Sequence, residues 1–304
     1  MSAPELESPA PTMADAHAEL LPRGGADPLP LPALTADPHH PATTAPDHPT
    51  HPGVPPFAER SDWGPYSPCG PDCLPADGPR ARLRVLRRVV AMLGVFLIAP
   101  TLLALARPTL YRLLLKAAGV RLRVEGTLAT SGLVVANHLS WVDVVALGAV
   151  APVRMIAKAE VAHWPLIGAI AARTGALFVD RARISGLPAV VADTAAVLRE
   201  GALVGVFPEG TTWCGSASGP FRRAPFQAAL DAGAPVRPVR ITLSLPDGRP
   251  TTAGAFVGEE TFGDSLLRVL RLPGLDCTLT VLPSLDPTGD RRTLAARAER
   301  AIAA

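Results

Sequence analysis

The chain has 304 residues, 48% of them apolar and 18% charged, with 34 prolines, four cysteines and a formal charge of +2. That length suits one large domain with an extension, and the composition excludes a disulfide scaffold, a collagen and a coiled coil. The near-neutral total hides two unlike pieces: residues 1–80 carry 11 acidic residues against three arginines, and residues 81–304 carry 26 basic against 16 acidic.

Residues 1–79 hold 19 of the 34 prolines and five of the seven histidines, with almost no Val, Ile or Phe. Such a segment buries too little apolar surface to offset chain entropy, and is read as a disordered, Pro-rich acidic extension. Within it, Trp63, Tyr66, Cys69 and Cys73 stand out as a small docking patch. Cys69 and Cys73 offer a disulfide or half a metal site. Zinc needs about four ligands, and Cys214 and Cys277 lie far away in the chain, so four free thiols and no metal are expected.

Arg80, Arg82, Arg84, Arg87 and Arg88 lead into an uncharged run from Val89 to Ala106. Its length is marginal for a span. Pro100 interrupts it, and basic residues follow it (Arg107, Arg112, Lys116), which keeps both flanks on one side of a membrane. The expectation is a membrane-associated segment over 80–118. It is read as a helix pair at about 89–99 and 108–118 that dips into one leaflet, with the arginines near anionic head groups.

From residue 119 onward a single domain is expected. Strands are predicted at 121–125, 132–137, 153–157, 176–180, 202–207, 236–243 and 277–282, and helices at 140–149, 162–173, 186–200, 224–232 and 288–302, the last as a solvated or lipid-facing cap. This alternation predicts an α/β fold with a mostly parallel central sheet flanked by helices. Sites in such sheets lie at strand C-terminal ends. Four unusual stretches fall there: Asn137-His138-Leu139-Ser140-Trp141-Val142-Asp143, Gly175 to Arg181, Phe207-Pro208-Glu209-Gly210-Thr211-Thr212, and Ala234 to Ile241. An imidazole with a carboxylate five residues on suits general-base chemistry. Ser140 and Asp143 also match a helix capping box, so the spacing alone serves either purpose. Gly210 permits the turn after Glu209.

In this order the four stretches resemble the glycerolipid acyltransferase family, which includes the bacterial 1-acylglycerol-3-phosphate acyltransferases, over roughly residues 85–245. The resemblance implies a two-helix membrane-associated start and O-acyltransfer from acyl-CoA or acyl carrier protein to a lysolipid hydroxyl at the cytoplasmic face of the cell membrane. The lysolipid would be 1-acyl-sn-glycerol-3-phosphate, in phospholipid biosynthesis. It implies His138 as the base and Asp143 as the group that holds its tautomer. Asn137, Ser140, Lys158, Arg181, Glu209, Gly210, Thr211, Thr212, Arg222 and Arg223 are the implied substrate-binding residues. Membrane lipid and the acyl donor are the implied partners; neither a metal, a cofactor nor nucleic acid is. No serine nucleophile is needed, because the acceptor hydroxyl itself attacks.

The match departs at Thr212, where the family often has an arginine that helps bind the acceptor phosphate. Threonine offers a hydroxyl and no bidentate cation. Lys158 (one of only two lysines beside 27 arginines), Arg222 and Arg223 are the compensating cations. The departure keeps open a lyso-ornithine lipid or another lysophospholipid as acceptor, and a non-catalytic lipid-binding scaffold as the contrasting reading. A metal-dependent hydrolase built on His138 and Asp143 has too few ligands.

Overall fold

The structure, a computed structural model, describes residues 66–76, 81–164, 166–180 and 186–304. The expectations for residues 1–65 and for Arg181 lie outside the described residues.

The described chain runs α1 (Arg82–Leu105), α2 (Arg107–Ala118), β1 (Val120–Glu125), β2 (Gly132–Ala136), α3 (Trp141–Val150), β3 (Arg154–Lys158), α4 (Ile167–Arg173), β4 (Leu177–Val179), α5 (Leu187–Arg199), β5 (Leu203–Val206), α6 (Ala224–Ala232), β6 (Val236–Ser244), α7 (Phe262–Arg271), β7 (Leu275–Val281) and α8 (Arg291–Ala303). The strands form one sheet in the order β1-β7-β6-β2-β5-β3-β4. Only the β6–β7 pair is antiparallel among the described strands. The fold is therefore the expected α/β architecture with a mostly parallel sheet.

β2 lies at the centre, and all five of its residues are buried. Val134 and Ala136 face one core with α3 and α7, while Leu133 and Val135 face the other with α5, α6 and α8. A strand covered on both faces reads as an unbroken apolar run, as Gly132–Ala136 does. Because β2, β5, β3 and β4 run parallel, their C-terminal ends gather along one edge of the sheet.

Three expectations change. First, α1 begins at Arg82 and continues through Pro100 to Leu105. A proline removes one helical hydrogen bond, but Ala99 and Leu103 flank it in a buried cluster with Leu110 and Leu114 of α2, and this packing holds the helix together. The chain turns instead at Ala106, where φ is −154° and ψ is 63°. Second, Arg88 does not face lipid. It is buried, and its guanidinium donates to the carbonyl oxygens of Val269, Leu270, Leu272 and Pro273, closing the C-terminal end of α7. Arg84 adds a bond to the Arg271 carbonyl. Gly119 makes room for this: its φ is +81°, and a Cβ there would sit 1.9 Å from the Arg88 guanidinium. Third, α8 is no solvated cap. Leu294, Ala295, Ala298 and Ile302 bury one of its faces against the sheet.

α7 was absent from the predicted elements. The Thr261-Phe262-Gly263-Asp264 capping box marks its start, with Thr261 accepting from the Asp264 N–H and Asp264 from the Thr261 N–H. The predicted helix 162–173 divides into a 3-10 turn, Ala159–His163, and α4, separated by Leu166 at a φ of 63°.

α1 is long and apolar enough to cross a membrane by length and composition. One side of it packs on α2, and Leu86, Val90, Leu93 and Leu97 form an exposed stripe at helical spacing on the other.

A buried carbonyl left without a donor costs roughly 1–3 kcal/mol. Arg88→Met is therefore expected to destabilise the chain by about 3 kcal/mol, with Arg88→Lys recovering only part of the loss. Thermal unfolding of the full chain in detergent, with exposed Arg87→Met as the control, reads this. A loss no larger than the control's means that the α7 carbonyls find other donors.

Candidate active site

β2 ends at Ala136, and three residues carry the chain to Ser140, which starts α3. The Ser140 hydroxyl accepts from the Val142 N–H at 3.4 Å, as a helix cap does. Asp143 reaches back from the first turn, and its Oδ2 accepts from the N–H groups of Leu139 and Ser140 at 2.6 and 2.7 Å. The same oxygen lies 2.9 Å from His138 Nδ1. Asp143 is wholly buried, and its Oδ1 has no hydrogen-bond partner among the described residues. The two meanings of the Ser140–Asp143 spacing are thus one structure: the capping carboxylate is also the histidine's partner.

A carboxylate only accepts, so Nδ1 carries the proton and Nε2 is left with a lone pair. The imidazole is one-fifth exposed, which leaves it an approach for substrate. One face of the ring stacks on Phe207, with centroids 3.9 Å apart and an interplanar angle of 5°. The His138 carbonyl accepts from the Trp213 N–H at 2.8 Å.

Glu209 supports the same loop. Its Oε2 accepts from the His138 N–H at 2.6 Å and its Oε1 from the Gly219 N–H at 3.1 Å. Burial pushes its pKa up to about 7, against the pull of those two hydrogen bonds. Gly210 takes a φ of +78° in the turn that follows.

The remaining predicted residues divide between framework and surface. Both ends of the Asn137 carboxamide engage the Ile241 backbone, at 2.9 and 2.8 Å, which locks β2 to β6. Ser140 is fully buried in its cap. The Thr212 hydroxyl donates to the Phe256 carbonyl at 2.5 Å. Thr211 is half-buried in the same loop. Lys158 is exposed at the C-terminal end of β3, on the sheet edge that carries His138. Arg222 and Arg223 are exposed just before α6, and the Arg222 N–H donates to the Pro208 carbonyl at 2.9 Å, tying them to the Phe207–Thr212 turn.

Sequence reasoning missed the roles of Phe207, Trp213 and Phe256, which act through ring stacking and backbone groups. It also missed an aromatic group at the start of α3, where Trp141 meets Phe262 of α7 at 5.9 Å and Phe262 meets Trp164 at 5.8 Å. Finding it required α7, whose capping box was the available signal.

A family model described as Acyltransferase matches residues 121–242. The chain is 37% identical over 170 residues to a lyso-ornithine lipid O-acyltransferase of Pseudomonas aeruginosa, a match covering 55% of this chain and 65% of that one. It is 36% identical over 124 residues to a 1-acyl-sn-glycerol-3-phosphate acyltransferase of Neisseria gonorrhoeae, covering 41% and 49%. With a lyso-ornithine lipid O-acyltransferase of Rhodobacter capsulatus it shares 31% identity over 205 residues, covering 64% of this chain and 73% of that one. The chain thus spans just under two thirds of the Pseudomonas relative and about half of the Neisseria one. The crystal structure of a 1-acyl-sn-glycerophosphate acyltransferase from Thermotoga maritima shares the fold at a TM-score of 0.50 and 21% identity, covering 72% of this chain and 94% of that one. The matched segment contains the His138–Asp143 pair and the Glu209 turn, and with the Rhodobacter relative covered over nearly three quarters of its length, this chain belongs to the acyltransferase family of the lysophosphatidic acid and lyso-ornithine lipid enzymes.

Proposed function

We propose that the protein transfers an acyl chain from a thioester, acyl-CoA or acyl carrier protein, to the hydroxyl of a lysolipid at a membrane surface. The observation that carries this reading is the contact of His138 Nδ1 with buried Asp143 Oδ2 at 2.9 Å, at the C-terminal end of the central strand. In the proposed reaction Nε2 takes the proton of the acceptor hydroxyl as its oxygen bonds to the thioester carbonyl carbon. The tetrahedral intermediate collapses, the C–S bond breaks, and the imidazolium returns the proton to the leaving thiolate. Asp143 keeps the ring in the Nδ1–H tautomer and stabilises its cationic form.

The membrane contact in this reading is the exposed stripe of α1. Each such Leu or Val forfeits roughly 1.5–3 kcal/mol while it stays in water, so covering the stripe with lipid is favourable. Exposed Arg82, Arg87 and Arg107 at the ends of the stripe add attraction to anionic head groups on the cytoplasmic face.

For the acceptor, the first reading is 1-acyl-sn-glycerol-3-phosphate, with Lys158, Arg222 and Arg223 as exposed cations beside the site. A second reading, lyso-ornithine lipid, is favoured by Thr212. The hydroxyl at the position where the resemblance expects a phosphate-binding arginine already donates to Phe256. The names of the Pseudomonas and Rhodobacter relatives agree with it.

Acyl transfer by the full chain in mixed micelles tests both readings. It would use one labelled thioester donor with lysophosphatidic acid, lyso-ornithine lipid and a lysophosphatidylcholine-type lipid as acceptors. Turnover of lysophosphatidic acid favours the exposed cations, and turnover of lyso-ornithine lipid alone makes Thr212 the mark of a changed acceptor. Turnover of none returns the chain to a lipid-binding scaffold. His138→Ala is expected to lower kcat by about 10²–10⁴-fold while lipid binding persists, the range for loss of a general base; full turnover in this variant eliminates the mechanism.

Glu209 gives a pH test. Its pKa in the folded chain, about 7, lies above the ordinary carboxylate value of 4.5, so the folded state binds more protons between those values. The stability it contributes is complete below pH 4.5 and is lost as pH rises to about 7, a change of a few kcal/mol. The unfolding free energy of wild type relative to Glu209→Gln is expected to fall across that window. A pH-independent difference means that the carboxylate titrates in its ordinary range.

A further inference from the structure

Cys69, Cys73 and Cys214 lie apart in the sequence, with 145 positions between the first and the last, yet their Sγ atoms all fall within 4.8 Å of one another. The reading that left Cys214 alone is corrected here. Residues 66–76 fold against the loop after Glu209, and Cys69, Trp213, Cys214, Ala255 and Val257 form a buried cluster there. Cys69 and Cys214 are buried, and Cys73 is half-buried at the end of a short 3-10 turn. The Thr252 hydroxyl donates to the Cys73 carbonyl at 2.7 Å and anchors that turn.

A backbone donor faces the trio. The Cys214 N–H donates to Cys69 Sγ at 3.3 Å. Donors of this kind orient metal-bound sulfur and spread its charge. Tetrahedral zinc with bonds of about 2.3 Å places its sulfurs about 3.8 Å apart, which small side-chain rotations reach from the observed spacing. A disulfide uses two sulfurs and leaves the third unexplained; a thiophilic cation uses all three.

We propose that Cys69, Cys73 and Cys214 bind one zinc ion that clasps residues 66–76 to the loop behind the histidine. On binding, each thiol gives its proton to solvent and a Zn–S bond replaces the S–H bond, with no change of oxidation state. The fourth position falls to solvent on the half-exposed Cys73 side. The clasp reaches the active site through the backbone: Trp213, next to Cys214, donates its N–H to the His138 carbonyl, and Thr212 bonds Phe256. Zinc occupancy would stiffen the loop that fixes His138.

The test uses the full chain purified under reducing conditions without chelator. Elemental analysis is expected to give about one zinc per chain. Cys277→Ser, which leaves the trio intact, should retain the zinc, and Cys214→Ser and the Cys69→Ser/Cys73→Ser double variant should lose it. Zinc affinity in these variants should fall by more than the roughly 100-fold that loss of an outer-shell partner costs. Should Cys214→Ser fail to fold, Co²⁺ added to metal-free wild type still decides the matter: the intense spectrum of a tetrahedral cobalt–thiolate centre is expected. Added zinc should also raise the thermal midpoint of wild type and leave that of the double variant unmoved. A wild-type chain without zinc that gives no cobalt–thiolate absorption overturns the proposal, as does a stable disulfide joining two of the three cysteines under reducing conditions.

Discussion

The organisation of the site depends on one buried oxygen. Asp143 Oδ2 accepts from two backbone N–H groups and faces His138 Nδ1, all within 2.9 Å. Removing a carboxylate from water costs several kcal/mol, and hydrogen bonds to a charged group contribute roughly 1.5–3 kcal/mol each, so three such bonds offset the penalty where one would not. The arrangement joins the helix start to the site: the bonds that start α3 fix the carboxylate that faces the His138 ring. A substitution at Asp143 therefore cannot remove the partner of His138 without also loosening the helix start.

A second layer, from the loop that runs from Phe207 to Trp213, holds the histidine on its other sides. Phe207 covers one face of the ring, Glu209 accepts its backbone N–H and Trp213 donates to its backbone carbonyl. β5 lies beside β2 in the parallel sheet, so the residues that leave the ends of both strands meet. The Phe207–Trp213 loop thus holds His138 largely through backbone groups and stacking. That explains why a buried glutamate appears in a turn whose sequence looks exposed: its two oxygens have backbone donors, which is the condition for burying a carboxylate without a cation.

Much of this was legible in the sequence. Each of the seven predicted strands is present within two residues at either end, because buried parallel strands are short apolar runs bounded by Gly, Pro or polar residues. The His138–Asp143 pairing was legible because both members lie within one helix start. Where local rules failed, tertiary packing had overridden them. Pro100 marks a break that the α1–α2 contact abolishes, and Arg88 reads as a surface cation although four backbone carbonyl groups, more than 180 positions away, hold it in the interior. Cys214 reads as isolated because nothing local to it signals that residues 66–76 fold onto its loop. α7 is short, with a glycine in its first turn, and only its capping box announces it.

The way hydrogen-bonding capacity is used also bears on acceptor choice. Asn137, Ser140, Glu209 and Thr212 stand in motifs that the resemblance assigns to substrate, yet each directs its polar atoms at backbone groups. A side chain whose donors and acceptors are satisfied within the fold gains little by binding a head group, since each new bond must replace an existing one. In the proposed reading, discrimination between head groups falls to exposed groups beside the site, among them Lys158, Arg222 and Arg223. On that reading the polar atoms of the turns serve the fold, and the His138–Asp143 pair is held in the same way whichever head group is bound.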